Sequence, residues 1–475
     1  MSALMNTIVA FAHQLRFEEM PEEVISESKR LMLDSVGCAL AAHGTDKGRI
    51  AVQAAREMGA APEASIIGAA GRVSFSSAAF ANGELISTLD YDALTSPPGH
   101  VAPYVIPALL ASVEKNKASG KSLILALAAA HELSARFGSA MADVRDVPAG
   151  QKISFPAVTG YSSSIFGGTL GTAMLAGLDA QQTASALGLA GHIAPAQSMG
   201  KWVRTLPATT EKYLMAGWIN QAELLAVLLA KGGYQGDASV LDGDFGFSRF
   251  MGSGRWNPDA LVDRLGVFWK FPSSTIYKPY PHCRISQTVL DCLAHLIEEH
   301  SLQPDEIDRI DAWCDPHGAL LPMWSSKELA SCLDAQMSVP YAVSLVAHRV
   351  KSDPGWQNDA TMKNPRYVAF MDKVTVQAHP HFETTIKEEP GSRIGKVDVF
   401  ARGRTFTEER KYRKGSPATP QTRMSDQELL AKFYDNAAVV LPADVAVKLG
   451  QMLLSLEDVQ DASELSQLWS LPASS

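Results

Sequence analysis

Gly167-Gly168-Thr169-Leu170-Gly171-Thr172-Ala173 is the stretch that decides the fold. Glycine inside a helix costs about 1 kcal/mol relative to alanine, so three glycines within a helical pattern over 157–176 make sense where neighbouring helices must approach closely. A packed helical body follows. Outward from this stretch, Ala- and Leu-rich periodicity predicts further helices at about 76–89, 102–114, 122–136, 180–190, 209–231 and 258–265. Pro21-Glu22-Glu23 reads as a helix first turn, with Gly44 as a stop. Leu4, Ile8, Phe11 and Leu15 share one face of an amphipathic helix near the start.

Beyond Pro272 the texture changes. A helix at about 284–299 precedes a strand from Ile307 to Cys314, and Ile394 to Phe400 with Thr405 to Tyr412 reads as a β-hairpin turning at Arg402-Gly403-Arg404. Gly415, Ser416, Pro417 and Pro420 form a breaker-rich linker, after which Asp426 to Tyr434 and Val445 to Leu454 return to helical spacing. The expectation is a mainly α protein with a large all-helical domain over 1–271, a smaller α+β domain over 272–420, and helices over 421–475 that rejoin the first domain.

The chain has 475 residues, 46% hydrophobic and 20% charged, enough for a large core divided into about two or three domains. Forty-two Lys and Arg against fifty-one Asp and Glu give a formal charge of -9, which argues against nucleic acid or an anionic membrane as partner. Any anionic ligand must meet a local cluster of bases. The cysteines, Cys38, Cys283, Cys292, Cys314 and Cys332, are odd in number and form no CxxC pair, so neither a disulfide framework nor a zinc ribbon is indicated. With no basic, then apolar, leader pattern at Met1 to Arg16, the expectation is a cytoplasmic protein. The most apolar runs, Leu123 to Ala130 and Leu224 to Ala230, fall short of the roughly 20 residues that cross a bilayer.

Several motifs fail on context. Gly120-Lys121-Ser122 lacks the first glycine and the preceding strand of a phosphate loop, and Ser198-Met199-Gly200-Lys201 has no SDN or KTG companion. His379-Pro380-His381 has only Glu383 nearby as a further ligand, so it reads as a surface turn rather than a metal site. His131 and His192, in apolar helices, read as satisfied buried or boundary residues.

Three clusters hold up. Asn82 to Pro103 ends one helix near Asp90-Tyr91-Asp92, passes through a Pro- and Gly-containing loop, and places His100 at the entrance of the next helix. A carboxylate beside an imidazole orients it and makes a proton donor or acceptor near neutral pH; equally, the aspartates and His100 suit plain turn and helix caps. Lys278-Pro279-Tyr280-Pro281-His282-Cys283-Arg284, at the domain junction, sets two cations, an imidazole and a phenol on a stiff loop fit for carboxylates, or else forms a solvated linker. Lys212, at the start of an apolar helix, is unfavourable for the helix dipole unless a ligand or carboxylate offsets it.

Together these segments resemble the MmgE/PrpD family, which includes 2-methylcitrate dehydratases, cis-aconitate decarboxylases and iminodisuccinate epimerases. The carriers are Leu33-Asp34-Ser35-Val36-Gly37-Cys38, Asn82-Gly83 leading to Leu89-Asp90-Tyr91-Asp92 and Gly99-His100, Leu178-Asp179 with Ala186 to Gly191, Lys278-Pro279-Tyr280-Pro281, and Gln336 to Tyr341. The resemblance implies a helical domain built from both chain ends plus a smaller α+β lid, no metal and no organic cofactor, and a homodimer. It also implies that Asp90 and His100 are catalytic and that Lys212 and Lys278 are catalytic or carboxylate-binding, with Tyr280, His282, Arg284, Leu94 and Thr95 around the substrate. This chain departs from the family pattern at Ala93 and Leu94, at Phe155-Pro156, at His282-Cys283 and at Gln287.

The function expected is a cofactor-independent lyase on a small di- or tricarboxylate. Lys212 and Lys278, helped by Arg284, clamp the substrate while His100, held by Asp90, moves a proton at carbon. Dehydration of a 2-methylcitrate-like hydroxy acid comes first, with decarboxylation of a cis-aconitate-like acid and epimerisation of an iminodisuccinate-like acid as alternatives. A catalytically silent carboxylate-binding protein is the non-enzyme alternative, and a metal-dependent hydrolase through Asp90, Asp92 and His100 comes last.

Overall fold

The computed structural model describes residues 2–59, 61–141, 160–212, 214–389 and 391–472. Phe155-Pro156 and the first residues of the helix expected from 157 lie outside the described residues. The protein is mainly α-helical, with small sheets.

Helices α1 (Ala3–Gln14), α2 (Glu22–Ala41), α3 (Asp46–Met58), α4 (Phe75–Ser87), α5 (Ala102–Asn116), α6 (Gly120–Ala140), α7 (Gly160–Leu175), α8 (Ala180–Ile193) and α9 (Ala216–Lys231) build the helical body. The glycine run lies in α7, which packs against α5, α6, α8 and α9. A Cβ on Gly167 would sit 2.3 Å from the Ala130 carbonyl oxygen of α6, so the close approach read from the sequence is real.

Two expectations need correcting. α9 starts at Ala216, not at 209, because Lys212 adopts φ 54°, which a right-handed helix cannot accommodate. Lys212 therefore stands in a turn ahead of the helix. The helix expected over 258–265 shrinks to Asp259–Val262, since Arg264 and Gly266 take φ 49° and 82°. Helix α3 was not anticipated: the chain stops at Gly44 and restarts at once, with Thr45 Oγ1 accepting from the Gly48 amide.

A three-stranded miniature sheet links the helical body to the rest. β1 (Leu94–Thr95) is its centre, paired antiparallel with β2 (Gly99–His100) and β3 (Thr275–Ile276). Leu94 faces both His100 and Ile276 in register, so residues far apart in sequence are brought to one place.

The α+β part follows. A helix α10 (Gln287–Glu299) packs on a four-stranded sheet of order β5-β4-β6-β7, with β4 (Ile307–Cys314), β5 (Val374–Ala378), β6 (Gly395–Ala401) and β7 (Arg404–Arg410). β4 and β5 run parallel; β4–β6 and β6–β7 are antiparallel. The β6–β7 turn has Arg402 and Gly403 at φ 54° and 66°, the paired positive values of a tight hairpin. The surface turn expected at His379-Pro380-His381 is only half right. His379 is buried, with Nε2 3.2 Å from Glu409 Oε2, while Pro380 and His381 are exposed. Short helix α11 (Pro316–Leu320) follows β4, and α12 (Asp426–Ala437) and α13 (Ala443–Leu454) return to pack on α2. No described helix is long and apolar enough to cross a membrane.

Candidate active site

The miniature sheet builds the site. Past the end of α4 the chain reaches Asp90 and Asp92, β2 presents His100, and β3 leads directly into Lys278. All four are buried, as is Lys212.

Asp90 is the hub. Its Oδ1 accepts from Lys212 Nζ at 3.2 Å and its Oδ2 from Lys278 Nζ at 3.0 Å, while Lys278 also donates to the Asp90 carbonyl at 2.5 Å. Lys212 donates in addition to the Ser87 carbonyl at 2.6 Å. Burial alone would push the Asp90 carboxyl up, but the ammoniums of Lys278 and Lys212 hold it well below the usual carboxylate range. Asp90 and Lys212 both occupy the left-handed region, at φ 53° and 54°, which costs a non-glycine residue about 1–2 kcal/mol. Two such residues joined by an ion pair are held there by the surrounding structure.

His100 is oriented by Asp92, not by Asp90. Its Nδ1 lies 2.6 Å from Asp92 Oδ2, whereas its Nε2 is 3.5 Å from Asp90 Oδ1. Burial lowers the imidazole below its ordinary value, against the pull of Asp92, so the ring is neutral at pH 7 and donates Nδ1–H to the carboxylate. Nε2 is then the basic nitrogen. Gly99, at φ 136°, has no room for a side chain: a Cβ there would meet Tyr161 Oη at 2.4 Å.

A narrow cavity of about 50 Å³, smaller than typical small-molecule sites, opens beside this cluster. Asp90, His100, Tyr161 and Trp202 line it from the helical body, and Arg284, Asp315, His317 and Trp324 line it from the α+β part. Of the residues expected at the site, Asp90, His100 and Arg284 therefore reach the cavity wall, with Lys212 and Lys278 held against Asp90.

Like Lys212 and Lys278, Tyr280, His282, Leu94 and Thr95 are not among the residues lining the cavity. His282 is buried with Nδ1 2.6 Å from Ser286 Oγ and Nε2 3.0 Å from the Ser338 carbonyl, and burial drops it to about 4. It pins the loop. Tyr280 stacks on Trp356 with ring centroids 5.7 Å apart, and Leu94 and Thr95 are spent in the miniature sheet. Gln287, noted as a departure at the pocket, instead donates to the carbonyls of Tyr280 and His282 at 3.1 and 2.8 Å.

Support for the Asp90 loop comes from distant elements. Lys432 of α12 donates to Asp34 Oδ1 at 2.7 Å and to the Tyr91 carbonyl at 2.8 Å, and Asp34 Oδ2 accepts from the Ala93 amide at 3.0 Å. Gln357 donates to the carbonyls of Leu89 and Pro281, both at positions flanking the lysine–aspartate hub, at 2.7 and 2.8 Å. Sequence reasoning missed Asp315, His317, Gln357 and Lys432, and gave Asp92 only a turn-cap or metal-ligand role in place of the His100 partner. Asp92 carried a signal as a second carboxylate two residues from Asp90 on the same loop; Lys432 and Gln357 carried none.

A family model of the MmgE/PrpD N-terminal domain matches residues 6–259, and one of the MmgE/PrpD C-terminal domain matches residues 280–458. The chain is similar to the cis-aconitate decarboxylase of Mus musculus, 25% identical over 505 residues, covering 100% of this chain and 94% of the relative. It is similar to that of Homo sapiens at 26% over 481 residues, covering 97% and 93%. A cis-aconitate decarboxylase of Aspergillus terreus is 25% identical over 506 residues, covering 100% and 97%.

Proposed function

The chain belongs to the MmgE/PrpD family, and from that premise we propose that it is a lyase that moves a proton at carbon on a small di- or tricarboxylate, using its own side chains. The observation that carries this reading is the convergence of Asp90, Lys212, Lys278 and the Asp92-anchored His100 beside one cavity.

Each ammonium has three N–H donors. Two on Lys212 serve Ser87 and Asp90, and two on Lys278 serve the carbonyl and carboxylate of Asp90, so one on each remains for a substrate carboxylate. Neutral His100, its tautomer set by Asp92, serves as base or, once protonated, as acid at the adjacent carbon. Negative charge that develops on the carboxylate as the proton leaves is met by ammoniums already in place, which need no reorganisation during the step. Arg284, on the other half of the lining, supplies a cation for a second carboxylate.

Within this class, the names of the relatives support decarboxylation of a cis-aconitate-like acid. A second reading, dehydration of a hydroxy acid, is favoured by one observation: a second imidazole–carboxylate pair, His317 with Asp315, lines the same cavity. The apolar residues Trp218, Leu225 and Leu228, 49%, 48% and 44% exposed along α9, support a homodimer, which light scattering would test.

Incubation of the purified protein with citrate, 2-methylcitrate, aconitate isomers and iminodisuccinate in D₂O, followed by NMR with and without chelator, tests the reading. Deuterium incorporation at carbon with loss of water or CO₂, unaffected by chelator, is the expected result; no exchange and no turnover with any of them would sink it.

A further inference from the structure

The mechanism above uses one imidazole, yet the cavity holds two. His317, on α11, lines it together with His100, and its Nδ1 lies 2.6 Å from Asp315 Oδ1, the same spacing as His100 to Asp92. The two pairs come from unrelated elements, one from the miniature sheet and one from the turn between β4 and α11.

Asp315 is fixed from three sides. Its Oδ1 also accepts from the His317 amide at 3.1 Å, and its Oδ2 pairs with the guanidinium of Arg393, both side chains being buried. Despite burial, His317 and Arg393 keep the Asp315 carboxyl well below the usual range, so it is an anion. The His317 ring meets Trp324 edge to face at 6.5 Å, and Trp324 is itself held by an Nε1–H donated to Cys283 Sγ at 3.2 Å. With Nδ1 committed to Asp315, Nε2 is the nitrogen that exchanges a proton.

Decarboxylation delivers one proton to carbon. Loss of water involves two proton transfers, one off the C–H and one onto the departing hydroxyl, and two groups facing one cavity can divide them. We propose that His317, oriented by Asp315, is a second proton-transfer residue of this cavity and the acid that protonates the leaving hydroxyl when a small hydroxy polycarboxylate is dehydrated; the inference rests on the proton-transfer reading of His100.

The step balances within the protein and substrate. His100 Nε2 takes the proton from the carbon beside a carboxylate, and the C–H electron pair becomes the second bond of the new C=C. The neighbouring C–O bond breaks with its pair on oxygen, which takes the Nε2 proton of the His317 imidazolium and leaves as water. His100 ends protonated and His317 neutral, and one proton exchanged with solvent at each restores the starting state.

The test uses two leaving groups. His317→Gln is assayed on the hydroxy acid that the unmodified protein dehydrates and on the analogue with fluorine in place of that hydroxyl, because fluoride departs without being protonated. Water loss falls about 100-fold or more, while fluoride release stays within about tenfold of the unmodified protein, which also shows that the variant is folded. His100→Gln loses both. Water loss within about twofold of normal in His317→Gln, or fluoride release that falls as far as water loss, overturns the inference. So does an unmodified protein that releases CO₂ from an unsaturated acid and no water from any hydroxy acid, a result that leaves proton transfer at carbon standing. Absence of any deuterium exchange or turnover in the unmodified protein is the distinct failure of the underlying reading, and the inference falls with it.

Discussion

His100 Nδ1 lies 2.6 Å from Asp92 Oδ2, and this contact sets the tautomer that leaves Nε2 as the basic nitrogen. In Asp92→Asn the side chain either accepts through its oxygen or donates through its nitrogen, and nothing enforces the productive tautomer. Turnover is expected to fall by about 10²–10⁴. Because a carboxylate beside an imidazole raises its pKa, removing that charge also moves the acid limb of the kcat/KM profile to lower pH. A pH profile of the variant checks both; an acid limb moving to higher pH would count against His100 as the base.

Asp90 is a buried anion balanced by two buried ammoniums. Lys278→Met leaves it with Lys212 alone, so the Asp90 carboxyl rises and the fold is destabilised by about 3–5 kcal/mol. Adding Asp90→Asn to Lys278→Met removes the orphaned charge and restores much of that stability without restoring turnover. Urea denaturation of both single variants and the double variant measures the coupling; additive losses would show that the pair is not the source of the effect.

Lys432 reaches from α12 to Asp34 and to the Tyr91 carbonyl, behind the loop that carries Asp90 and Asp92. Lys432→Met is expected to lower kcat far more than it raises KM, since the loop relaxes while Lys212, Lys278 and Arg284 still meet the substrate. Steady-state kinetics on the folded variant, checked by circular dichroism, separates the two constants; a KM effect alone would place Lys432 outside the support of the loop.

Burial drops His131 to about 3 and His282 to about 4, so the folded protein keeps both neutral where the unfolded chain protonates them. For a lowered histidine, stability is complete above the unfolded pKa of about 6.5 and is lost as pH falls below it, at about 1.4 kcal/mol per pH unit for each ring. Asp291, raised to about 6 chiefly by burial, acts oppositely between its unfolded value and pH 6, because there the folded state holds the extra proton. Urea midpoints between pH 7 and pH 4.5 should fall on acidification, and less steeply in His131→Leu. An unchanged slope in that variant would remove His131 from the account.

The helical body, the β6–β7 hairpin and the helices α12 and α13 were readable because each rests on local periodicity and turn chemistry. Asp90, His100, Lys212 and Lys278 could also be picked out, as charged residues in segments otherwise too apolar or too stiff for them. Their division of labour could not. The sequence placed Lys212 in a helix, but its φ of 54° puts it in a turn where it reaches Asp90. Asp90 was expected to hold His100 and instead anchors the two lysines, while Asp92, two residues on, takes the ring.

What the sequence by itself determined is the fold class, the family and the inventory of ionisable groups, since these follow from spacing and composition along the chain. Which partner each group faces was decided only by tertiary structure. The register Leu94 to His100 and Leu94 to Ile276 brings three segments together, and burial there makes every charge find a counter-charge across elements that no local pattern relates. The same applies to His317 and Asp315, unremarkable neighbours in sequence until the α+β part sets them against the cavity that His100 lines from the other side of the chain.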